Sequence, residues 1–545
     1  MKIKFKYCAI FIVSLSVFVP LSCADNLLDQ TNPNQVSTGT FWRNADDANK
    51  AVNGMFHPIT GTYFWGRIIH VGAFLRDDFF NPIGTGPNTA MSVFLGTPSG
   101  RWATEPFQEA YKSIFRANLI LENVNEVNVP DKATRDGILG QAYFMRAFVY
   151  WHMVNMYGNV PAGQQGGIPL VIKTPDPTNE ADLFPVQASA KAVWDQIILD
   201  LQKAETLLPD SWDATNLGRP TNGAATALKG KSYLYRSGLL GVNEYDLAET
   251  AFKKVVNSAR YDLLPSNKFQ ENFTQVNENN IESVFELQFQ PIGNGNFVWG
   301  SDIPRAGTQG NFVIEYAPPS QTPDEGNFVN PWVRKLFEAN GETVRRNATI
   351  AYDYTGCVVN DNKPFKTQMS TEIALAASKA TLPNNAGLEA IVGVKYSGLE
   401  LPLGATGFLG DNYGPNWRVI RYSDVLLMLA ESLNEQNKPS EALPLINKVR
   451  QRAQVTLLPL TLDKTATKQA IIDERVLELS SEGHRFFDLV RWGLVEKYLG
   501  KNSDHSGPHP KSINQGFFVK GKHELVWIPE TEIFSNPKMK QNPGY

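Results

Sequence analysis

Ala248 and Phe252 do most to limit what this chain can fold into. They stand four apart in the stretch 243–259, so on a helix they lie one turn over each other on a single face. A small residue beside an aromatic one at this spacing lets a second helix come close, while the ring fills the space alongside. The preceding stretch 222–238 has the apolar period of that second helix, and 422–437 followed by 439–453 repeats the arrangement. Such paired helices cannot bury their apolar faces alone and have to stack on neighbours.

These pairs have the pattern of tetratricopeptide-type units, and about four are expected, the others degenerate. The remaining candidates are helices over 46–55, 107–124, 133–157, 187–208 and 463–481. In 107–124 the apolar face is Phe107, Tyr111, Ile114, Phe115, Leu119 and Leu121. Gly158 and Pro161 stop the 133–157 helix, and Pro209 follows the next one. The apolar fraction of 42% against 19% charged residues is enough to bury such a stack, which excludes wholesale disorder.

The stretch 260–420 has a different texture. A strand is expected at 281–289, but 291–316, 318–331 and 398–415 are rich in Gly, Pro and Asn with embedded aromatics. The reading is a large, irregular, loop-rich insertion between helix pairs, and loops of that length in a compact fold are usually functional. A second long loop is expected at 84–101.

The N-terminus carries its own signal. Lys2, Lys4 and Lys6 precede an apolar run from Tyr7 to Val19, interrupted only by Ser14 and Ser16. That run is too short to span a bilayer and suits the core of a signal peptide. It ends at Ser22-Cys23, the pattern of a lipoprotein cleavage site, with Pro20 in place of the usual Leu. The expected organisation is a signal peptide over 1–22, lipidation of Cys23 and a polar tether over 23–40. A helical part with early binding loops follows over 41–259, then a ligand-binding insertion over 260–420, then a C-terminal helical part over 421–545. Two or more acyl chains anchor a protein stably, so the chain should sit on a membrane through its lipid.

Several chemistries are excluded. Basic and acidic residues number 51 and 55, too balanced for a nucleic-acid binder. Cys8 leaves with the signal, so Cys357 is the one remaining candidate thiol, too little for a disulfide framework. No metal or other cofactor is expected. His523-Glu524 lacks the second histidine of a zinc protease, and Gly230-Lys231-Ser232 has Ala225 where a phosphate loop needs glycine. Gly84-Thr85-Gly86 meets Thr89 where a third glycine is required. His484 reads as a structural hydrogen-bonding group. A glycosidase needs two facing carboxylates, and Asp77, Asp78, Glu105, Asp302 and Glu315 are available in loop-rich stretches, but spacing alone pairs none of them.

Exposed aromatics are the stronger sign. One face of a sugar ring presents C–H groups that suit an indole, and its rim hydroxyls suit Asp, Asn and Arg. Candidate contacts are Trp65, Asp77 and Asp78, then Trp102 closing the 84–101 loop, then Trp299 between Asn296 and Asp302. The competing reading for each tryptophan is core packing, which is the expectation for Trp42, Trp151, Trp194 and Trp492 on helices.

Longer motifs run through the chain. Gln141 to Tyr150 with Tyr157-Gly158-Asn159-Val160-Pro161 resembles the "A-x-F-L-R-A-x-x-Y…Y-G-D-V-P" segment of SusD/RagB-type lipoproteins. Ser22-Cys23 with Leu28-Asp29 and Pro33, Arg421-Tyr422-Ser423-Asp424 to Ala430-Glu431, and Glu482-Gly483-His484-Arg485-Phe486-Phe487-Asp488 with Arg491-Trp492-Gly493 resemble other motifs of that family, in order. Asn536-Pro537 and Gln541 to Tyr545 resemble its closing segment. A departure is Glu338-Ala339-Asn340-Gly341, where many members have an Asp-Arg pair. The resemblance implies a mostly α, SusD-like fold and a non-catalytic, lipid-anchored protein on the cell surface at the outer membrane. It implies binding of oligo- or polysaccharide, or of peptide in some members, and delivery to a SusC-like TonB-dependent transporter. It also implies a site built from an early and a mid-chain loop, which favours Trp299 and the region 63–102. Two other readings stay open: a tetratricopeptide adaptor binding only protein, and a glycan hydrolase.

Overall fold

The computed structural model describes residues 41–82, 87–92, 94–290, 312–316, 327–351, 358–359, 363–364, 391–397, 414–500 and 518–545. Cys23, Asn296, Trp299, Asp302 and Cys357 lie outside the described residues.

Local chemistry sets the helix ends. Asn44 accepts the N–H of Asp47 at 3.0 Å and opens the helix Ala45–Thr60. Asp131 caps Lys132–Met153, Ser189 caps Ala190–Leu207, Thr221 caps Asn222–Leu240 and Asp463 caps Lys464–Leu479. Gly241, in the left-handed region at φ 68°, ends Asn222–Leu240. The π-helical turn Val154–Gly158 carries the chain out of Lys132–Met153.

The helices pack as a stack in chain order. Ala45–Thr60 lies on Arg101–Asn123, which lies on Lys132–Met153, then Ala190–Leu207, Asn222–Leu240 and Tyr245–Asn257. The next layer is Tyr422–Glu435 with Pro439–Arg452, followed by Lys464–Leu479. Residues 260–420 are thus spliced out of a continuous stack. The close approach read from Ala248 is real: Ala248 and Phe252 are fully buried, and a Cβ on Gly230 of the facing helix would lie 2.7 Å from the Phe252 ring.

Short strands complete the fold: β1 Phe80–Pro82, β2 Ile168–Pro169, β3 Gln187–Ala188, β4 Ser283–Leu287, β5 Asn327–Val329, β6 Ile350–Ala351, β7 Val358–Val359, β8 Lys363–Pro364, β9 Val392–Gly393 and β10 Trp417–Arg421. They pair antiparallel as a four-stranded sheet ordered β1-β5-β9-β6 and as pairs β10-β4, β2-β3 and β7-β8. The insertion is therefore less irregular than its composition suggests. It also holds the helices Pro331–Ala339 and Val344–Thr349 and the 3-10 segment Ser266–Phe273.

Two expectations about loops are corrected. The 84–101 segment contains a short helix, Pro87–Ser92, and Arg101 is the first residue of the Arg101–Asn123 helix. Trp102 and Glu105 consequently sit on that helix. No helix of the described residues is long and apolar enough to cross a membrane.

Candidate functional site

The longest motifs of the chain build the interior. Arg421, wholly buried, donates to Glu482 at 2.7 Å and to Glu478 at 2.9 Å, and also pairs with Glu282. Arg345 bonds Glu474 at 2.6 Å, and Lys395 bonds Glu482 at 2.7 Å. A second group joins Arg475 to Asp424 and Asp488, each at 2.7 Å, and Arg491 to Glu431 at 2.7 Å. Lys231 donates to His484 Nδ1 at 3.1 Å, the structural role expected of that histidine. Burial pushes the Glu431 carboxyl up, but Arg491 and Lys468 more than reverse this, so it ends well below the usual range. Glu478 is held low in the same way by Arg452, Arg421 and Arg345. Charges this deep and this paired hold layers together and offer no open chemistry.

The early and mid-chain loops are rooted elsewhere, on one platform. β1, from the early part, pairs with β5, so the chain leaving Pro82 starts beside the strand that follows 317–326. The segment Phe312–Tyr316 is pinned from below. Arg67 donates to Glu315 at 2.7 Å, with both side chains buried. His70 Nε2 is 2.9 Å from the Trp65 carbonyl, which can only accept, so Nδ1 accepts from the Tyr316 hydroxyl at 3.0 Å. Burial drives His70 down to about 3, so this neutral tautomer persists at physiological pH. Trp417 stacks on Tyr396 at 4.1 Å, and His70 meets Trp417 edge-on at 4.5 Å. Phe289 donates its N–H to Asn416 at 2.7 Å, which fixes the start of 291–311 beside the end of 398–413.

The described residues that flank 291–311, 317–326 and 398–413 thus lie on or beside one platform of β1, β5, β6, β9, Phe312–Tyr316 and Trp417, and β1 itself precedes the 84–101 segment. This aromatic core of His70, Phe312, Tyr316, Tyr396 and Trp417 was missed in the sequence, where 398–415 read only as a loop. The alternation of Trp417, Val419 and Arg421 in a strand was the available signal.

The candidate contacts fare unequally. Trp65 is 1% exposed, packed against His152 at 4.9 Å and Phe148 at 5.4 Å, so its indole is core and presents no face to a sugar. Trp102 is 6% exposed on its helix, against the expectation of a loop tip. Asp78 forms a two-pronged ion pair with Arg485, both bonds 2.9 Å, and is closed to a ligand. Asp77 is also buried. It accepts the N–H groups of Phe79 at 3.0 Å and Phe80 at 3.4 Å, and so shapes the turn into β1. Burial, with the neighbouring Asp78 charge, pushes Asp77 up to about 7. The burial of Trp65 follows from the helix Lys132–Met153 and that of Asp78 from its pairing with Arg485, both of which lie far away in sequence. Asn296, Trp299 and Asp302 lie outside the described residues.

Of the carboxylates weighed for hydrolysis, Glu105 pairs with Arg101 at 3.1 Å and Glu315 with Arg67. Among the described residues, no group of three or more His, Cys, Asp or Glu could hold a metal ion. A cleft of about 400 Å³ beside Asp210, Lys254, Arg260 and Tyr261 lies on the helix-pair surface, away from the platform, and its Arg260 and Asp210 pair with each other at 2.7 Å.

A stack of helix pairs with a small four-stranded sheet and an aromatic core beside it defines a helix-repeat scaffold. The sequence model of the SusD family matches residues 249–545, and a second, described as starch-binding associating with outer membrane, matches 99–234. The chain belongs to the SusD family. It is 26% identical to SusD-like protein P2 of Formosa agariphila, over 99% of this chain and all of that one. It is 24% identical to the starch-binding protein SusD of Bacteroides thetaiotaomicron, over 74% of this chain and 72% of that one. Among solved structures, a SusD homologue from Bacteroides thetaiotaomicron has a TM-score of 0.74 at 24% identity, covering 94% of this chain and 100% of the other. A laminarin-binding SusD-like protein has a TM-score of 0.68 at 25% identity, covering 92% and 100%. The mostly α, SusD-like architecture expected from the sequence is therefore established.

Proposed function

We propose that this protein is a surface-exposed lipoprotein of the outer membrane, anchored through Cys23, that captures oligo- or polysaccharide and passes it to a SusC-like TonB-dependent transporter. The observation that carries the reading is the common platform, where the early and mid-chain loops are rooted together by β1-β5 pairing and by Arg67–Glu315. A shared root lets aromatic and hydroxyl-binding side chains from distant parts of the chain act on one ligand. Support comes also from relatives and solved neighbours named for starch and laminarin binding, and from the signal pattern ending at Ser22-Cys23.

Trp299 supplies the stacking face in this reading, and Asn296 and Asp302 hold rim hydroxyls. Trp65, Trp102, Asp77 and Asp78 act instead as framework beneath the site. No catalytic residues are assigned, and the protein's part in the uptake is binding and hand-over. A screen of the purified protein against polysaccharides and peptides tests the reading. Saturable binding to a glycan without release of reducing ends over time is expected. Binding confined to peptides, or steady release of reducing ends, would overturn it.

A further inference from the structure

We infer that the cavity between Trp65, Trp151 and His152 is a binding site for one structural water molecule. The cavity offers about 20 Å³ to the centre of a water molecule, and its walls include Lys231, Glu482 and His484. One water needs about 10–15 Å³ on the same measure, together with two to four polar partners. The space therefore suits a single molecule, and cavities with polar walls fill where purely apolar ones stay dry.

The partners are present with the right sense. The indole Nε1–H groups of Trp65 and Trp151 are buried and meet no acceptor among the described residues. An unpaired buried donor is unfavourable, and an ordered water is the usual remedy. His152 Nδ1 stands 2.9 Å from the Phe148 carbonyl oxygen, which can only accept, so Nδ1 carries the proton. Burial lowers this imidazole to about 3, so the ring is neutral and Nε2 presents a lone pair. A water molecule accepts two hydrogen bonds and donates two. Here it accepts from both indoles and donates to His152 Nε2, with its second O–H left for an oxygen of Glu482 on the same wall. A halide would accept from the indoles equally well, but it would face the His152 lone pair, which only a donor can meet.

The water ties together three parts of the chain. They are the early segment through Trp65, the helix Lys132–Met153 through Trp151 and His152, and the C-terminal motif through Glu482.

The test is a high-resolution crystal structure of the unmodified protein, with one crystal pressurised with xenon and another soaked in bromide. We expect a single density peak about 2.7–3.2 Å from both indole nitrogens and from His152 Nε2, unchanged by xenon and without anomalous signal in bromide. An empty cavity, xenon density or a bromide peak at that position would overturn the assignment. In solution, the indole N–H bands of the same protein in ultraviolet resonance Raman spectra should show Trp65 and Trp151 hydrogen-bonded, with Trp65→Phe and Trp151→Phe identifying the bands. Bands of free indole N–H would contradict the water independently of crystal growth.

Discussion

At the scale of single residues, burial decides roles that residue type left open. Trp65 looked like a sugar platform because Asp77 and Asp78 follow it as hydroxyl-binding candidates, yet its indole is enclosed by Phe148 and His152. Trp65→Ala should therefore cost about 3–5 kcal/mol of stability, as large core truncations do, and chemical denaturation will measure it. Unchanged stability would show that the ring is not core. Asp77 makes a different kind of prediction. Its carboxyl is raised to about 7 by burial and by Asp78. Between about pH 4 and 7 the folded protein keeps a proton there that the unfolded chain releases, so this residue's contribution to stability falls as pH rises through that window. Asp77→Asn keeps an oxygen to accept from Phe79 and Phe80 and removes the titration. The variant should gain on the wild type steadily from pH 4 to 7 in denaturant titrations. Parallel profiles would place the Asp77 carboxyl in an ordinary environment.

At the scale of elements, the helix contacts are sharp enough for a sign to be predicted against propensity. Gly230→Ala gains about 1 kcal/mol of helix propensity, but its Cβ would stand 2.7 Å from the Phe252 ring. Overpacking of a well-filled core costs about 1–3 kcal/mol, so the variant should be less stable by about 1 kcal/mol on balance. A stabilised Gly230→Ala would mean the pair packs more loosely. The Arg67–Glu315 pair joins the early and mid-chain parts while wholly buried. Glu315→Gln should cost about 3–5 kcal/mol, because removing one member of a buried pair leaves the other charge poorly compensated. A shift in melting temperature within the error of the wild type would contradict this. The helices were legible in the sequence because their period and caps are local: Asn222–Leu240 and Pro439–Arg452 fall within two residues of the expected bounds at either end. The platform was not legible. Its strands are two to five residues long, and β1-β5 pairing joins Phe80 to Val329 across the chain. Exposure around Trp65 and Trp102 was misread for the same reason, since neighbouring Gly and Pro describe the local backbone and say nothing of what packs on it from afar.

At the scale of the whole molecule, the account joins a membrane anchor, a helix stack and a loop face. Cys23→Ala should move the protein out of the outer-membrane fraction and abolish acyl labelling, and retention with no label on the wild type would count against the anchor. The motif residues Arg421, Asp424, Glu482 and Arg491 carry the family resemblance, and they lie in the buried network. They mark the fold, and in the proposed reading ligand choice falls to the loops rooted at the platform. The most direct measurement is calorimetry with a glycan found by the screen, comparing wild type and Trp299→Ala. Loss of an indole stacking partner with its apolar area should weaken affinity by about 1–3 kcal/mol, roughly 5- to 150-fold, with an unchanged melting temperature. Equal affinity in the two proteins, or a Trp299→Ala variant that unfolds while its folded fraction binds normally, would contradict glycan capture at this face.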